Sequence, residues 1–132
     1  MRLLLDTHSW LWMQVCPERF SRAALEILNP PDSELSLWAA SAWEIAIKYA
    51  LGKLQLPVPP AQYVPSRLET SGVVPLLVTH SHASQVATLP THHRDPLDRL
   101  LVAQAQMEKL AILTADRQLE SYDVIVRRAD SD

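Results

Sequence analysis

The chain has 132 residues, 48% of them hydrophobic and 20% charged, and carries a formal net charge of −3. This suits one domain, residues 1–132, with its own core, and it excludes a disordered or low-complexity protein. Cys16 is the single cysteine, which excludes an internal disulfide, and no apolar run reaches the roughly 18 residues of a membrane span, so a cytoplasmic protein is expected.

Leu3–Leu5 reads as a short strand buried on both faces, stopped by Asp6. Thr7 to Gln14 is helical, and Ser21 caps a second helix running to Leu28. Asn29-Pro30-Pro31-Asp32 breaks the chain before a strand over Glu34–Leu37. Ala39 to Leu51 is the clearest helix, with Gly52 placed to end it. A proline-rich connector leads into a helix through Leu68. Val73–Val78 is a strand that Pro75 confines to an edge. Ser81 to Thr88 and Asp95 to Lys109 are helical, the latter with Pro96 at its first position. Ala111–Thr114 and Asp123–Val126 read as closing strands. Short strands alternating with helices predict an α/β fold, a mostly parallel sheet of four or five strands covered on both faces. Ligands of such sheets sit beyond the carboxyl ends of the strands, where Asp6 and Asp116 both fall.

Asp6, Glu44, Asp98 and Asp116 each close or interrupt an apolar segment. Each has a purely structural explanation. Asp6 and Asp116 can cap the turns that follow their strands, worth about 1 kcal/mol each. Glu44 stands one turn before Lys48, in the order that favours an ion pair of roughly 0.2–0.5 kcal/mol. Asp95 and Asp98 are spaced like a capping box. Two of the four fit this account poorly. At about 100° per residue, Asp98 falls near Leu101, Val102 and Ala105 on the apolar stripe, and Glu44 lies between Trp43 and Ile45. An unpaired buried carboxylate costs several kcal/mol, more than a cap returns, so a cluster of them calls for a cation. Oxygen ligands without cysteine favour Mg²⁺ or Mn²⁺ over Zn²⁺. Such an ion suits phosphodiester hydrolysis. One ion activates water, and a second stabilises the departing oxygen.

Four segments carry a resemblance: Leu3-Leu4-Leu5-Asp6-Thr7-His8, Ser41-Ala42-Trp43-Glu44-Ile45-Ala46-Ile47-Lys48, the run from His93 to Ala105, and Leu113-Thr114-Ala115-Asp116. In this order they resemble the motifs of PIN-domain proteins, and more narrowly the VapC-like ribonuclease toxins of type II toxin–antitoxin modules. The resemblance runs over nearly the whole chain. It implies a PIN-like three-layer fold and a Mg²⁺-dependent (or Mn²⁺-dependent) endoribonuclease. It also implies a homodimer and a partner antitoxin that docks in a groove between helices. Asp6, Glu44, Asp98 and Asp116 match the family's acids and would be both metal ligands and catalytic groups. Asp95 is the rival for the third position, better used as a cap. Arg99, His93, Lys48 and Thr114 are the expected substrate contacts. The acid that many relatives carry soon after the last Asp is missing, since Arg117-Gln118-Leu119 follow Asp116. A second tightly held ion is therefore in doubt.

The histidines lack zincin spacing, which points to solvated loop residues rather than a zinc site. Near-absence of glycine excludes a P-loop and a nucleophile elbow. Trp10, Trp12, Trp38 and Trp43 are expected mainly in the core, with one of Trp10 and Trp12 lining a partner groove. Arg94, Arg99 and Arg117 fall near the acidic motifs, as salt-bridge partners or phosphate contacts. The competing functional reading is a non-catalytic PIN-like module that binds RNA or protein.

Overall fold

Leu3, Leu4 and Leu5 are fully buried, and the remainder of the molecule is arranged around them. In a computed structural model, which describes residues 1–29, 33–90 and 95–130, they form β1 (Arg2–Leu5) at the centre of a five-stranded parallel sheet. The others are β2 (Glu34–Trp38), β3 (Val74–Leu76), β4 (Ala111–Thr114) and β5 (Val126–Arg128), in the order β3-β2-β1-β4-β5. The helices are α1 (Thr7–Val15), α2 (Arg22–Leu28), α3 (Ala39–Ala50), α4 (Pro60–Ser71), α5 (His80–Gln85) and α6 (Pro96–Glu108). The breaker segment Pro30–Asp32, and the residues His92, His93 and Arg94, lie outside the described residues.

Alternation along β1 sends side chains into two cores. Leu3 and Leu5 pack with Trp10, Leu37, Ile45 and Leu113 on one face, and Leu4 packs with Leu101, Val102 and Ile112 on the other. The result is three layers, with burial of each β1 leucine contributing roughly 1.5–3 kcal/mol. From β1 the chain moves outward through β2 to β3, then returns to place β4 on the other side of β1. The strand order therefore reverses between β1 and β4, where an open α/β sheet leaves a crevice.

The expected elements recur, with local shifts that have physical causes. Ser21 caps α2 by accepting from the Ala24 N–H at 3.0 Å. Gly52, at φ 75°, stands just past the end of α3 in the left-handed region. β3 is shorter than Val73–Val78 and is indeed an edge strand, pairing only with β2. The last strand is a correction. It begins at Val126 instead of Asp123 because Tyr122, buried, closes the 3-10 turn Arg117–Ser121 and a bend over residues 122–124 follows.

The histidine expectation is corrected at one position. His82 is helical and buried, its Nδ1 accepting from the Thr79 N–H at 2.9 Å while Nε2 lies 2.7 Å from Glu108. The indoles divide as well. Trp10 and Trp38 are core residues, Trp12 stacks edge-on to Phe20 beneath Arg19, and Trp43 is 60% exposed.

Because β1 is the centre of both cores, Leu4→Ala is expected to cost about 2–5 kcal/mol in urea unfolding. Leu77→Ala, at an exposed position, is expected to change stability by less than about 0.5 kcal/mol. Equal effects would contradict the two-core arrangement.

Candidate active site

The chain leaves β1 at Asp6, whose backbone N–H still donates to the Leu113 carbonyl of β4 at 3.3 Å. The Asp6 carboxylate is held at both oxygens. Oδ1 accepts from the Ser9 N–H at 2.8 Å, capping α1, and Oδ2 accepts from the Thr114 hydroxyl at 2.5 Å. Thr114 ends β4, is fully buried, and accepts the Asp116 N–H at 3.0 Å. One hydroxyl thus joins the Asp6 carboxylate to the backbone of Asp116. Asp116 in turn accepts from the Gln118 N–H at 2.9 Å, and Asp95 caps α6 by accepting from the Leu97 N–H at 2.9 Å. Asp98 lies in the first turn of α6.

Glu44 enters from α3. Its Oε1 accepts from the Thr7 hydroxyl at 2.7 Å, and its Oε2 lies 2.8 Å from Lys48 Nζ. Thr7 Oγ1 is also 2.7 Å from Ser41 Oγ, and both hydroxyls are buried. Burial pushes the Glu44 carboxyl upward. Hydrogen bonds from Lys48 and Thr7, with the positive charge of Lys48 and His8, outweigh that and hold it below the usual carboxylate range.

Asp6, Glu44, Asp95, Asp98 and Asp116 all line one cleft of about 240 Å³, together with His8, Trp38, Leu97, Leu101 and Leu119. The fold therefore gathers all four expected acids, and the rival Asp95, at the crevice beyond β1 and β4. The structural explanations are realised in part: Asp6, Asp95 and Asp116 are caps and Glu44 pairs with Lys48, and all of these acids line one cavity.

The expected substrate contacts fare differently. Lys48 is present at Glu44. Thr114 is a correction: with no exposed surface it positions Asp6 and Asp116 instead of meeting a substrate. The Arg99 guanidinium donates to the carbonyls of Pro90 at 2.8 Å, Val86 at 3.3 Å and Leu89 at 3.5 Å, so it holds the turn that ends at Pro90. His93 and Arg94 are outside the described residues. Arg117 is exposed. Thr7, Ser41 and Trp38 were not anticipated as site residues. A signal existed for Ser41, which precedes Glu44 by three positions on one helix and so shares its side.

The donor set, carboxylate oxygens without cysteine, fits a hard divalent cation in its chemistry. Among the described residues no three His, Cys, Asp or Glu side chains are grouped closely enough to hold an ion as they stand. Caps engage Asp6 and Asp116 and Lys48 engages Glu44, so binding would displace Lys48 and rotate the capping aspartates.

The profile described as "PIN domain" matches residues 3–125. The chain belongs to the PIN-domain family. Ribonuclease VapC22 of Mycobacterium tuberculosis is 32% identical over 123 residues, covering 91% of this chain and 91% of that protein. Ribonuclease VapC16 of the same organism is 42% identical over 78 residues, which is 54% of this chain and 55% of that protein. That second likeness spans about half the length of each protein. Among solved structures, VapBC2 from Rickettsia felis, bound to a DNA fragment from its promoter, superposes with a TM-score of 0.68 at 15% identity. The superposition covers 98% of this chain and 100% of that one, and it shows the shared PIN fold.

In this PIN domain Glu44 has a lowered pKa, so its contribution to stability is complete above the ordinary carboxylate range. It is lost as pH falls through the lowered value. Lys48→Met removes the main opposing influence and leaves burial, so the Glu44 pKa is expected to rise. A carboxyl-carbon NMR titration of the metal-free protein checks this; an unchanged value would contradict the pairing.

Proposed function

We infer that this PIN domain is a divalent-metal-dependent endoribonuclease that hydrolyses RNA phosphodiester bonds, and that it is the toxin of a toxin–antitoxin pair. The observation that carries the chemistry is the convergence of Asp6, Glu44, Asp98 and Asp116 on one cleft at the sheet's switch point. Near full-length similarity to a protein named as a ribonuclease supports RNA as the substrate. Asp6, Glu44, Asp98 and Asp116 would hold Mg²⁺, or Mn²⁺ in its place. When bound, such an ion would compensate their charge and would supply Lewis-acid activation of water.

The chain's own residues do the rest. Thr114 ties the Asp6 carboxylate to the Asp116 backbone, and Thr7 anchors Glu44, so buried hydroxyls tether these parts of the acidic wall before substrate arrives. A carboxylate of this cluster would accept the proton that the attacking water loses. Trp38, Leu101 and Leu119 form an apolar side of the cleft that limits bulk water. Lys48 beside Glu44 and His8 in the lining of the cleft are candidates for phosphate contact.

Two surfaces support the protein partners. A groove of about 430 Å³ lined by Met13, Phe20, Leu25 and Leu28 runs between α1, α2 and α4 and suits an antitoxin segment. Trp43, Ile47 and Leu51 form an exposed apolar row along α3 and its C-terminal end that suits a homodimer. No helix of the described residues is long and apolar enough to cross a membrane, which accords with a cytoplasmic location.

Incubation of the purified chain with a panel of transfer and ribosomal RNAs tests this reading. Cleavage is expected with Mg²⁺ or Mn²⁺ and is expected to vanish in EDTA and in Asp6→Asn. Asparagine caps a helix about as well as aspartate, so that variant is expected to stay folded. RNA binding without cleavage would favour the non-catalytic module, and undiminished cleavage by Asp6→Asn would contradict the assignment.

A further inference from the structure

Glu44 is held by two unlike partners. On one side is a buried hydroxyl chain: Thr7 Oγ1 lies 2.7 Å from Glu44 Oε1 and 2.7 Å from Ser41 Oγ. A threonine hydroxyl has one proton to give, and a carboxylate can only accept. Thr7 therefore donates to Glu44, and Ser41 donates its own proton to Thr7. Thr7 is 4% exposed and Ser41 is 0% exposed, so neither can turn away without leaving a polar group unsatisfied between α1 and α3. On the other side is Lys48, 2.8 Å from Oε2, with 35% of its side chain exposed. Its ammonium sits on a flexible stem next to water and can leave at little cost.

The two partners also differ in charge. Lys48 neutralises Glu44, and a divalent cation would do the same, so the two compete for one carboxylate. The hydroxyl chain carries no charge and occupies one acceptor direction of Oε1, so it does not compete. If Lys48 alone held Glu44, its departure would release the side chain and the cation would bear the cost of ordering it again. With the chain in place the carboxylate stays oriented throughout the exchange. Thr7 also follows Asp6 directly, so the first turn of α1 fixes the acid of β1 and the acid of α3 together.

We propose that Thr7 and Ser41 are positioning residues that hold the Glu44 carboxylate in place for a divalent cation, and that Lys48 is the exchangeable counter-charge which that cation displaces. This rests on the reading of the cleft as a metal-dependent nuclease centre.

Mn²⁺ binding to the full chain, measured by electron paramagnetic resonance and calorimetry beside thermal melts, tests it without an activity readout. Thr7→Val is expected to weaken Mn²⁺ binding about 10–100-fold. Thr7→Ser, which keeps the hydroxyl, is expected to restore wild-type affinity, and Lys48→Met to bind at least as tightly as wild type. Equal losses in Thr7→Val and Thr7→Ser would assign the effect to packing and overturn the proposal. So would wild-type affinity in Thr7→Val, or a loss in Lys48→Met matching that of Thr7→Val. Should Thr7→Val not fold, Ser41→Ala carries the test: weaker Mn²⁺ binding in a folded protein supports the relay, and unchanged binding overturns it. Wild-type protein that binds no Mn²⁺, or binding that Asp6→Asn leaves intact, would overturn the nuclease-centre reading along with the relay. A normal loss in Asp6→Asn with none in Thr7→Val would overturn the relay alone.

Discussion

Mutual repulsion among acidic side chains would scatter them to solvent unless each were tied down separately. Here the ties are bonds that the fold makes in any case. Asp6, Asp95 and Asp116 accept from the first free N–H groups of the helical turns they precede, and Glu44 accepts from Thr7 and Lys48. Helix starts present partial positive charge, so the same geometry that satisfies orphan donors also offsets negative charge at the cleft rim. Folding and site assembly are in this sense one process. The cap energies, about 1 kcal/mol each, favour the arrangement that leaves the acids facing one another.

The β1–β4 pairing sets the scale of the site. Asp6 leaves β1 one residue past Leu5, which is in register with Leu113, and Thr114 closes the gap with a single hydroxyl. A threonine suits that place because it packs as a β-branched strand residue while its oxygen both donates and accepts. The position of the α3 acid depends on the contact between α1 and α3. Strand ends thus supply two acids, helix α3 one, and the start of α6 the others. That division explains why residues so far apart in sequence share a cavity.

Much of this could be read in advance. Continuous apolar runs marked β1 and β4, Pro96 and Asp95 marked the start of α6, and Gly52 marked the end of α3. Such signals are local, and propensity and capping act locally. Asp6, Glu44, Asp98 and Asp116 stood out because carboxylates beside buried apolar residues need compensation. What the sequence hid was long-range. Nothing near Arg99 indicates that its guanidinium reaches back to the carbonyls of Val86, Leu89 and Pro90. The partnership of Ser41, Thr7 and Glu44 depends on how two helices cross. The last strand was misplaced because burial of Tyr122, a tertiary effect, extends the turn and delays the strand. Local sequence marks His82 as a solvated loop residue because its partner Glu108 lies 26 positions away.

The account depends most on the cleft being a cation site. The direct measurement is anomalous diffraction from a crystal soaked in Mn²⁺, recorded above and below the manganese edge. A manganese peak bounded by oxygens of Asp6, Glu44, Asp98 and Asp116 is the expected result. Manganese bound only elsewhere on the molecule, with the cleft carboxylates still on their caps and on Lys48, would contradict it.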